Sequence, residues 1–362
     1  MCRDQVKTPA LILDLEALDR NIATMAARAK TLRVALRPHA KSHKCAEIAR
    51  RLAAAGALGP GCATIGEAEA MAAGGIGGIL VTSPMATPDM LERVRRLLLR
   101  GADLMLVVDD PRNVDALAVI AAGVARPLPI LVELDVGVGR TGCLEITDAV
   151  ALAQRIAGDP SLRFAGIQAY WGNLQQVAPL EEKERRVAAQ VERTRSLIAA
   201  LTAAGLKPGI VSGSGTGTHW IDGCSGIFTE LQPGSFLFLD SCYITVAMSA
   251  DGNPFIPALF VAASVVSATR PDRVIVNAGW KAFATDSGKP VPMRGAPAGA
   301  TYRYMGDEHG AVEFEKGPAP PLGAVIELLT SHCDPTVNLH ARYQVVRGDE
   351  VVDEWPILAR GY

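Results

Sequence analysis

Leu36-Arg37-Pro38-His39-Ala40-Lys41-Ser42-His43-Lys44 follows an amphipathic helical pattern and continues the apolar run Val34-Ala35-Leu36. Read as a β-strand, this stretch alternates, with Arg37, His39 and Lys41 on one face and Val34, Leu36 and Ala40 on the other. Three basic side chains on an inner strand face need a polar or anionic partner. A phosphorylated cofactor that forms a Schiff base with a lysine is one such partner.

On either side, short apolar runs alternate with helical periods from about residue 14 to residue 240. Leu15, Leu18, Ile22 and Met25 recur at helical spacing ahead of the stretch. Beyond it, Gly78-Ile79-Leu80-Val81, Leu104-Met105-Leu106-Val107-Val108, Ile130-Leu131-Val132-Glu133, Phe164-Ala165-Gly166-Ile167 and Ile210-Val211-Ser212 read as strands. Helices are expected over 67–73, 114–124, 149–157 and 180–204. Strands that are apolar throughout, each followed by a helix, make a parallel sheet covered on both sides. Seven or eight such units fit an α/β fold of the (β/α)8 TIM barrel type better than an open doubly wound sheet. After about residue 245 short strands around Phe260, Val274, Ile326 and Val345 follow one another without helices, which predicts a second, β-rich C-terminal domain. The expected division is a barrel over 14–240 and a β-rich domain over 241–362 that also takes the N-terminal strand within 1–13.

A net charge of −2 leaves no basic surplus for nucleic acid and no polybasic membrane patch. No 18-residue apolar run occurs, and Met1-Cys2-Arg3-Asp4 opens without an apolar signal core. Seven irregularly spaced cysteines with no CxxC fit reduced thiols. These features predict a soluble, cytoplasmic enzyme or small-molecule binder.

Three further stretches carry chemistry. Ser212-Gly213-Ser214-Gly215-Thr216-Gly217-Thr218 follows a barrel strand, and its amides and hydroxyls suit a phosphate, although such a run by itself is more often a plain turn. In Ser331-His332-Cys333-Asp334-Pro335-Thr336, read as the end of a strand, His332 and Asp334 project from one face as two legs of a divalent metal site. Such a pair is also often a plain structural hydrogen bond; Cys333 then points into the core. Arg140, after Glu133-Leu134-Asp135, and Tyr170, before Trp171, stand where barrel loops build active sites.

Together these motifs resemble the D-threonine aldolase and D-serine dehydratase group, fold-type III pyridoxal-phosphate enzymes related to alanine racemase. Further matches are Gly66-Glu67-Ala68-Glu69, Gly166-Ile167-Gln168-Ala169-Tyr170, Glu230-Leu231-Gln232-Pro233-Gly234-Ser235 and Asp307-Glu308-His309-Gly310. They run in the family's order over nearly the whole chain. The resemblance implies a barrel plus a β domain in a homodimer. It makes Lys41, rather than its neighbour Lys44, the lysine that binds pyridoxal 5'-phosphate, with Ser214, Gly215, Thr216 and Gly217 around the phosphate. Gln168 and Tyr170 join the cofactor site, and Arg140 faces the pyridine ring.

The resemblance also bears on the reaction. His332-Cys333-Asp334 is similar to the His-x-Asp pair of D-threonine and 3-hydroxy-D-aspartate aldolases, whereas D-serine dehydratases look like His-x-Cys. It implies retro-aldol cleavage of a D-3-hydroxy amino acid to glycine and an aldehyde, with Mn²⁺ or Mg²⁺ favoured and Zn²⁺ possible as the metal. The rival readings are a dehydratase giving a 2-oxo acid and ammonia, and a non-catalytic pyridoxal-phosphate carrier. One departure stands out: the aldolases have a histidine where this chain has Gln176, and a glutamine is no base near neutral pH. Metal-bound water, Tyr170 or His39 is left to move that proton, and Trp171 and Gln176 are expected to shape the substrate pocket.

Overall fold

The computed structural model describes residues 1–361. Strand β1 (Ala10–Asp14) and the helix Leu15–Leu32 precede eight strands: β2 (Ala35–Leu36), β3 (Gly61–Cys62), β4 (Ile79–Val81), β5 (Leu104–Val108), β6 (Leu128–Glu133), β7 (Leu162–Ala169), β8 (Ile210–Gly213) and β9 (Glu230–Leu231). All eight pair in parallel. β9 lies between β8 and β2, and a parallel bridge from His39 to Gly61 joins the ends of β2 and β3. The ring is closed, as a TIM barrel requires. The His39–Lys41 segment stands at the point of closure.

β5 shows why these segments are strands: all five residues are apolar and buried, with helices on one side and the barrel interior on the other. Two helices begin earlier than apolar spacing predicts, because side-chain caps set their starts. Thr64 accepts from the Glu67 amide, so that helix begins at Ile65. Asp110 caps the helix Pro111–Ala121, with Pro111 in its first turn, so it begins at Pro111 rather than Val114.

The remaining strands are β10 (Leu259–Arg270), β11 (Arg273–Val276), β12 (Val291–Pro292), β13 (Thr301–Tyr304), β14 (Gly310–Glu313), β15 (Val325–Leu329), β16 (Arg342–Arg347) and β17 (Glu350–Pro356). They form a second sheet in the order β13-β14-β11-β10-β1-β16-β17, with β15 also on β10 and β12 on β15. β1 runs antiparallel to β10 and parallel to β16. Its Leu11 and Leu13 share one apolar core with barrel residues such as Leu36 and Ile48, while Ile12 packs on the opposite face with Phe260 and Val346. Among the described residues, no helix is long and apolar enough to cross a membrane.

Two local expectations are corrected. The stretch 331–336 is not a strand end: β15 stops at Leu329, and His332 is the N-cap of a helix, Cys333–Leu339. Pro335 sits in the first turn, where its missing N–H has no intrahelical partner to lose, and Asp334 there complements the helix dipole. The strand at 34–41 is also shorter than expected, since β2 ends at Leu36 and Ala40–Ser42 is a 3-10 turn. Arg37 therefore does not share a cavity face with His39 and Lys41. Its anionic partner is Glu230, whose carboxylate takes two hydrogen bonds from the buried guanidinium, at 2.7 and 2.9 Å.

Candidate active site

A cavity of about 290 Å³ opens where the C-terminal ends of the barrel strands meet loops of the second sheet. Lys41, His39, Tyr170, Arg140, Gln168, Gly215, Thr216, Gln176, His332 and Asp334 all line it. Ser214, Gly217 and Trp171 do not. Trp171 is fully buried behind the wall and donates its indole N–H to Asp222 at 3.1 Å. Ser214 is also buried, with its hydroxyl turned toward Asp222 and the Gly215 carbonyl. The Gly217 amide donates to Gln175 Oε1 at 2.9 Å, so it too is turned away.

Lys41 reaches the cavity from the 3-10 turn, with Nζ 3.4 Å from Asp334 Oδ2. This carboxylate raises the Lys41 pKa above its ordinary value. Burial alone pushes the Asp334 carboxyl up, but Lys41 and then His332 outweigh it and leave it below the usual range. Lys44 is excluded from the same role. It has φ of +49° and is buried, with Nζ on Glu67 at 3.1 Å and on the Ala359 carbonyl at 3.0 Å.

Burial, helped by the Lys41 ammonium, brings the His39 pKa down to about 3. Its tautomer follows from its neighbours. The Thr82 hydroxyl donates to the Cys62 carbonyl at 3.1 Å, so it accepts from His39 Nε2–H at 3.0 Å. His39 Nδ1 then accepts from the Lys41 amide at 3.4 Å. Both ring nitrogens are engaged, which removes the free lone pair that a general base needs.

The cavity floor is a polar network that sequence reasoning did not find. Glu230 takes a hydrogen bond from the Ser212 hydroxyl, at 2.7 Å, so Ser212 accepts from Gln232 Nε2, also at 2.7 Å. Gln168 Nε2 donates to the Thr82 carbonyl and to Glu133, so its Oε1 accepts from Gln232 at 3.2 Å. The amide orientations are fixed by acceptor-only groups at both ends of the chain. Gln232 lay in a quoted motif but had no role assigned; Thr82 and Tyr243, both lining the cavity, gave no local signal.

The residues fit a pyridoxal phosphate. Among the described residues, the amides of Gly215, Thr216 and Gly234 have no protein acceptor, and all three residues line the cavity. Thr216 Oγ1 accepts from the Phe236 amide at 3.0 Å, which leaves its hydroxyl proton to donate. Convergent free amides of this kind suit a phosphate, and Lys41 supplies the amine. Arg140 is exposed at the mouth, its guanidinium 5.8 Å from the Tyr170 ring centroid.

The donor set also fits a divalent cation. His332 Nδ1 hydrogen-bonds Asp286 Oδ2 at 2.6 Å, leaving Nε2 for a ligand. A carboxylate behind the second nitrogen is the usual support of a metal-bound histidine. Among the described residues no third His, Cys, Asp or Glu completes a cage, so His332 and Asp334 are two donors of an open site. Cys333, buried, donates Sγ–H to Asp334 at 3.3 Å, and its amide donates to Asp240 at 2.7 Å.

Comparison with known proteins places this geometry. Residues 13–242 match the alanine racemase N-terminal domain, and residues 258–346 match a serine dehydratase domain. The chain is 41% identical to a D-threonine aldolase of an Arthrobacter species, over 99% of this chain and 94% of that protein. It is 37% identical to a 3-hydroxy-D-aspartate aldolase of Paracoccus denitrificans, over 100% of this chain and 94% of that protein. The crystal structure of D-threonine aldolase from Filomicrobium marinum superposes with a TM-score of 0.93 at 41% identity, covering 98% of this chain and 95% of that one. With a closed barrel, a lysine at its C-terminal mouth and a serine dehydratase-type second part, the chain belongs to the alanine racemase-like family of pyridoxal-phosphate enzymes, in the branch that contains the D-threonine and 3-hydroxy-D-aspartate aldolases.

Proposed function

We propose that this protein is a pyridoxal-phosphate- and divalent-metal-dependent lyase that cleaves D-3-hydroxy amino acids to glycine and an aldehyde. The observation that carries this reading is the convergence of Lys41 with Asp334 and His332 in one cavity. The barrel part, 14–240, supplies the cofactor groups; the β-rich part, 241–362 with 1–13, supplies the metal donors.

Bound at Lys41, pyridoxal phosphate supplies the electron sink for the carbanion left when the Cα–Cβ bond breaks. His332 and Asp334 would hold a divalent ion, Mn²⁺ or Mg²⁺ before Zn²⁺ for this donor pair, which would acidify the substrate β-hydroxyl. The chain's own groups do the rest. Gly215, Thr216 and Gly234 bind phosphate through free amides, and the Gln168–Gln232 floor orients the ring. His39 stays neutral and holds the turn that carries Lys41. Gln176 accepts no proton, so the β-hydroxyl proton would pass to Tyr170 only in its phenolate form; the Tyr170 hydroxyl lines the cavity with no protein partner among the described residues. The 41% identity to a D-threonine aldolase supports the substrate class. On the family resemblance the protein works as a homodimer in the cytoplasm, and its near-neutral charge supports a small-molecule partner rather than nucleic acid or a membrane.

The test is incubation of the purified protein with pyridoxal phosphate, Mn²⁺ and a panel of D-3-hydroxy amino acids. Glycine and aldehyde, lost on adding EDTA, are the expected products. A 2-oxo acid with ammonia moves the protein to the dehydratases.

A further inference from the structure

Lys183 stands in the first turn of the helix Leu180–Ala203, beside Glu181, Glu182 and Glu184, in the kind of charged run that solvent usually covers. It is fully buried instead. Its Nζ donates to the Gly217 carbonyl at 3.2 Å and to the Ala247 carbonyl at 2.7 Å. Among the described residues it has no carboxylate partner. A buried ammonium without a counter-anion is costly, and burial lowers its pKa to about 8. Two carbonyl oxygens solvate the charge without neutralising it.

Across the loop lies a cradle of free amides that would receive an anion. Gly217 ends the run whose earlier members, Gly215 and Thr216, present free amides to the cavity. Gln175 holds Gly217 through its N–H and Lys183 holds it through its carbonyl, so both flanking peptide groups are tied to the protein side.

We propose that Lys183 is a positioning residue for the cofactor phosphate, its buried charge balanced only when a phosphate occupies the cradle of Gly215, Thr216 and Gly234. The proposal rests on reading that cradle as the phosphate site. Lys183 acts through the loop: it keeps the Gly217 carbonyl off the cavity and sets a positive potential beneath the amides. Its contribution therefore falls on the phosphate and not on the ring or the aldehyde.

The experiment compares pyridoxal phosphate with pyridoxal, which lacks the phosphate, by absorbance titration of the cofactor-free enzyme. Lys183→Met is expected to weaken pyridoxal phosphate at least about tenfold while pyridoxal changes by less than about twofold. Lys183→Gln, which keeps a donor without the charge, is expected to do the same and serves where Lys183→Met does not fold. Lys183→Arg is expected to retain most of the preference for the phosphorylated ligand. Equal weakening of both ligands, or an unchanged ratio, overturns the proposal, because support of the loop alone affects both alike. Inorganic phosphate tests the underlying reading in the wild-type protein: it should compete with pyridoxal phosphate and not with pyridoxal. Failure to compete overturns the cradle itself, whereas competition with an unchanged ratio in the variants overturns only the role of Lys183.

Discussion

Lys41 and Asp334 face each other at 3.4 Å across the cavity, one from the barrel's closure point and one from the first helical turn after β15. The contact joins the two halves of the molecule at the proposed site of chemistry. It ties the group proposed to carry the cofactor to a group proposed to carry the metal.

Borohydride reduction in the presence of pyridoxal phosphate should trap the cofactor on Lys41 and not on Lys44, as read by peptide mass spectrometry. Lys41→Ala should abolish the trapped adduct and lower activity by at least about a thousandfold. An adduct on Lys44 in the wild-type protein contradicts the assignment.

Asp334→Ala and His332→Ala should each remove Mn²⁺ binding, followed by the electron paramagnetic resonance of free Mn²⁺. Asp286→Asn leaves His332 in place but weakens its support, with an expected loss of about ten- to a hundredfold in metal affinity. Unchanged binding in Asp334→Ala removes that residue from the site.

The Arg37–Glu230 pair is buried, so breaking it on one side strands a charge. Glu230→Gln should cost about 3–5 kcal/mol in denaturant unfolding. The double variant Arg37→Met with Glu230→Leu should cost less than the two single changes together.

A Cβ at Gly217 would collide with the Gln175 backbone oxygen. Gly217→Ala should therefore destabilise the loop by about 2 kcal/mol or more and weaken pyridoxal phosphate. A thermal midpoint and cofactor affinity equal to wild type would sink this reading of the loop.

His39, His43 and His219 are buried neutral, with pKa values brought down by burial to about 3, about 4 and about 3. Unfolded histidine titrates near about 6.5. As pH falls from about 6.5 to about 4, the unfolded chain takes up protons that the folded rings refuse, so each ring removes stability at about 1.4 kcal/mol per pH unit. Asp222, pushed up to about 7 by burial, and Asp240, pushed up likewise, bind protons in the folded state over that range and offset two of the three rings. His340, also lowered by burial, adds to the loss and Glu133, raised by burial, opposes it, so a net loss on acidification remains, measurable as a falling denaturant midpoint. Stability that rises on acidification contradicts the neutral assignment of these rings.

The barrel was legible wherever a strand is buried on both faces, as in Leu104–Val108, because such strands need no alternation to be recognised. β9 was not, since two residues carry no period. Helix starts were misplaced where Thr64 and Asp110, rather than apolar spacing, set the first turn. The 331–336 stretch misled for another reason: His-Cys-Asp-Pro alternates like a strand, but Asp334 and Pro335 suit a first helical turn. Within the candidate site, Lys41, His332 and Asp334 were visible as local patterns. The Gln168–Gln232–Ser212 network and the burial of Lys183 depend on contacts between distant strands, which no local window contains. Trp171, read as pocket-lining, is buried because its indole finds Asp222 in the helix His219–Cys224.

β1 has consequences for how the protein is made. It is held between β10, which a ribosome delivers only after the whole barrel, and β16, which follows most of the second sheet. Until then the Leu11-Ile12-Leu13 segment of the nascent chain has no strand to pair with, and its apolar side chains are open to chaperones or to other chains. The barrel strands from β3 to β9, each beside a near neighbour in sequence, are free of that delay. Asp334 arrives late as well, so a nascent chain that has not yet reached β15 lacks one wall of the cavity.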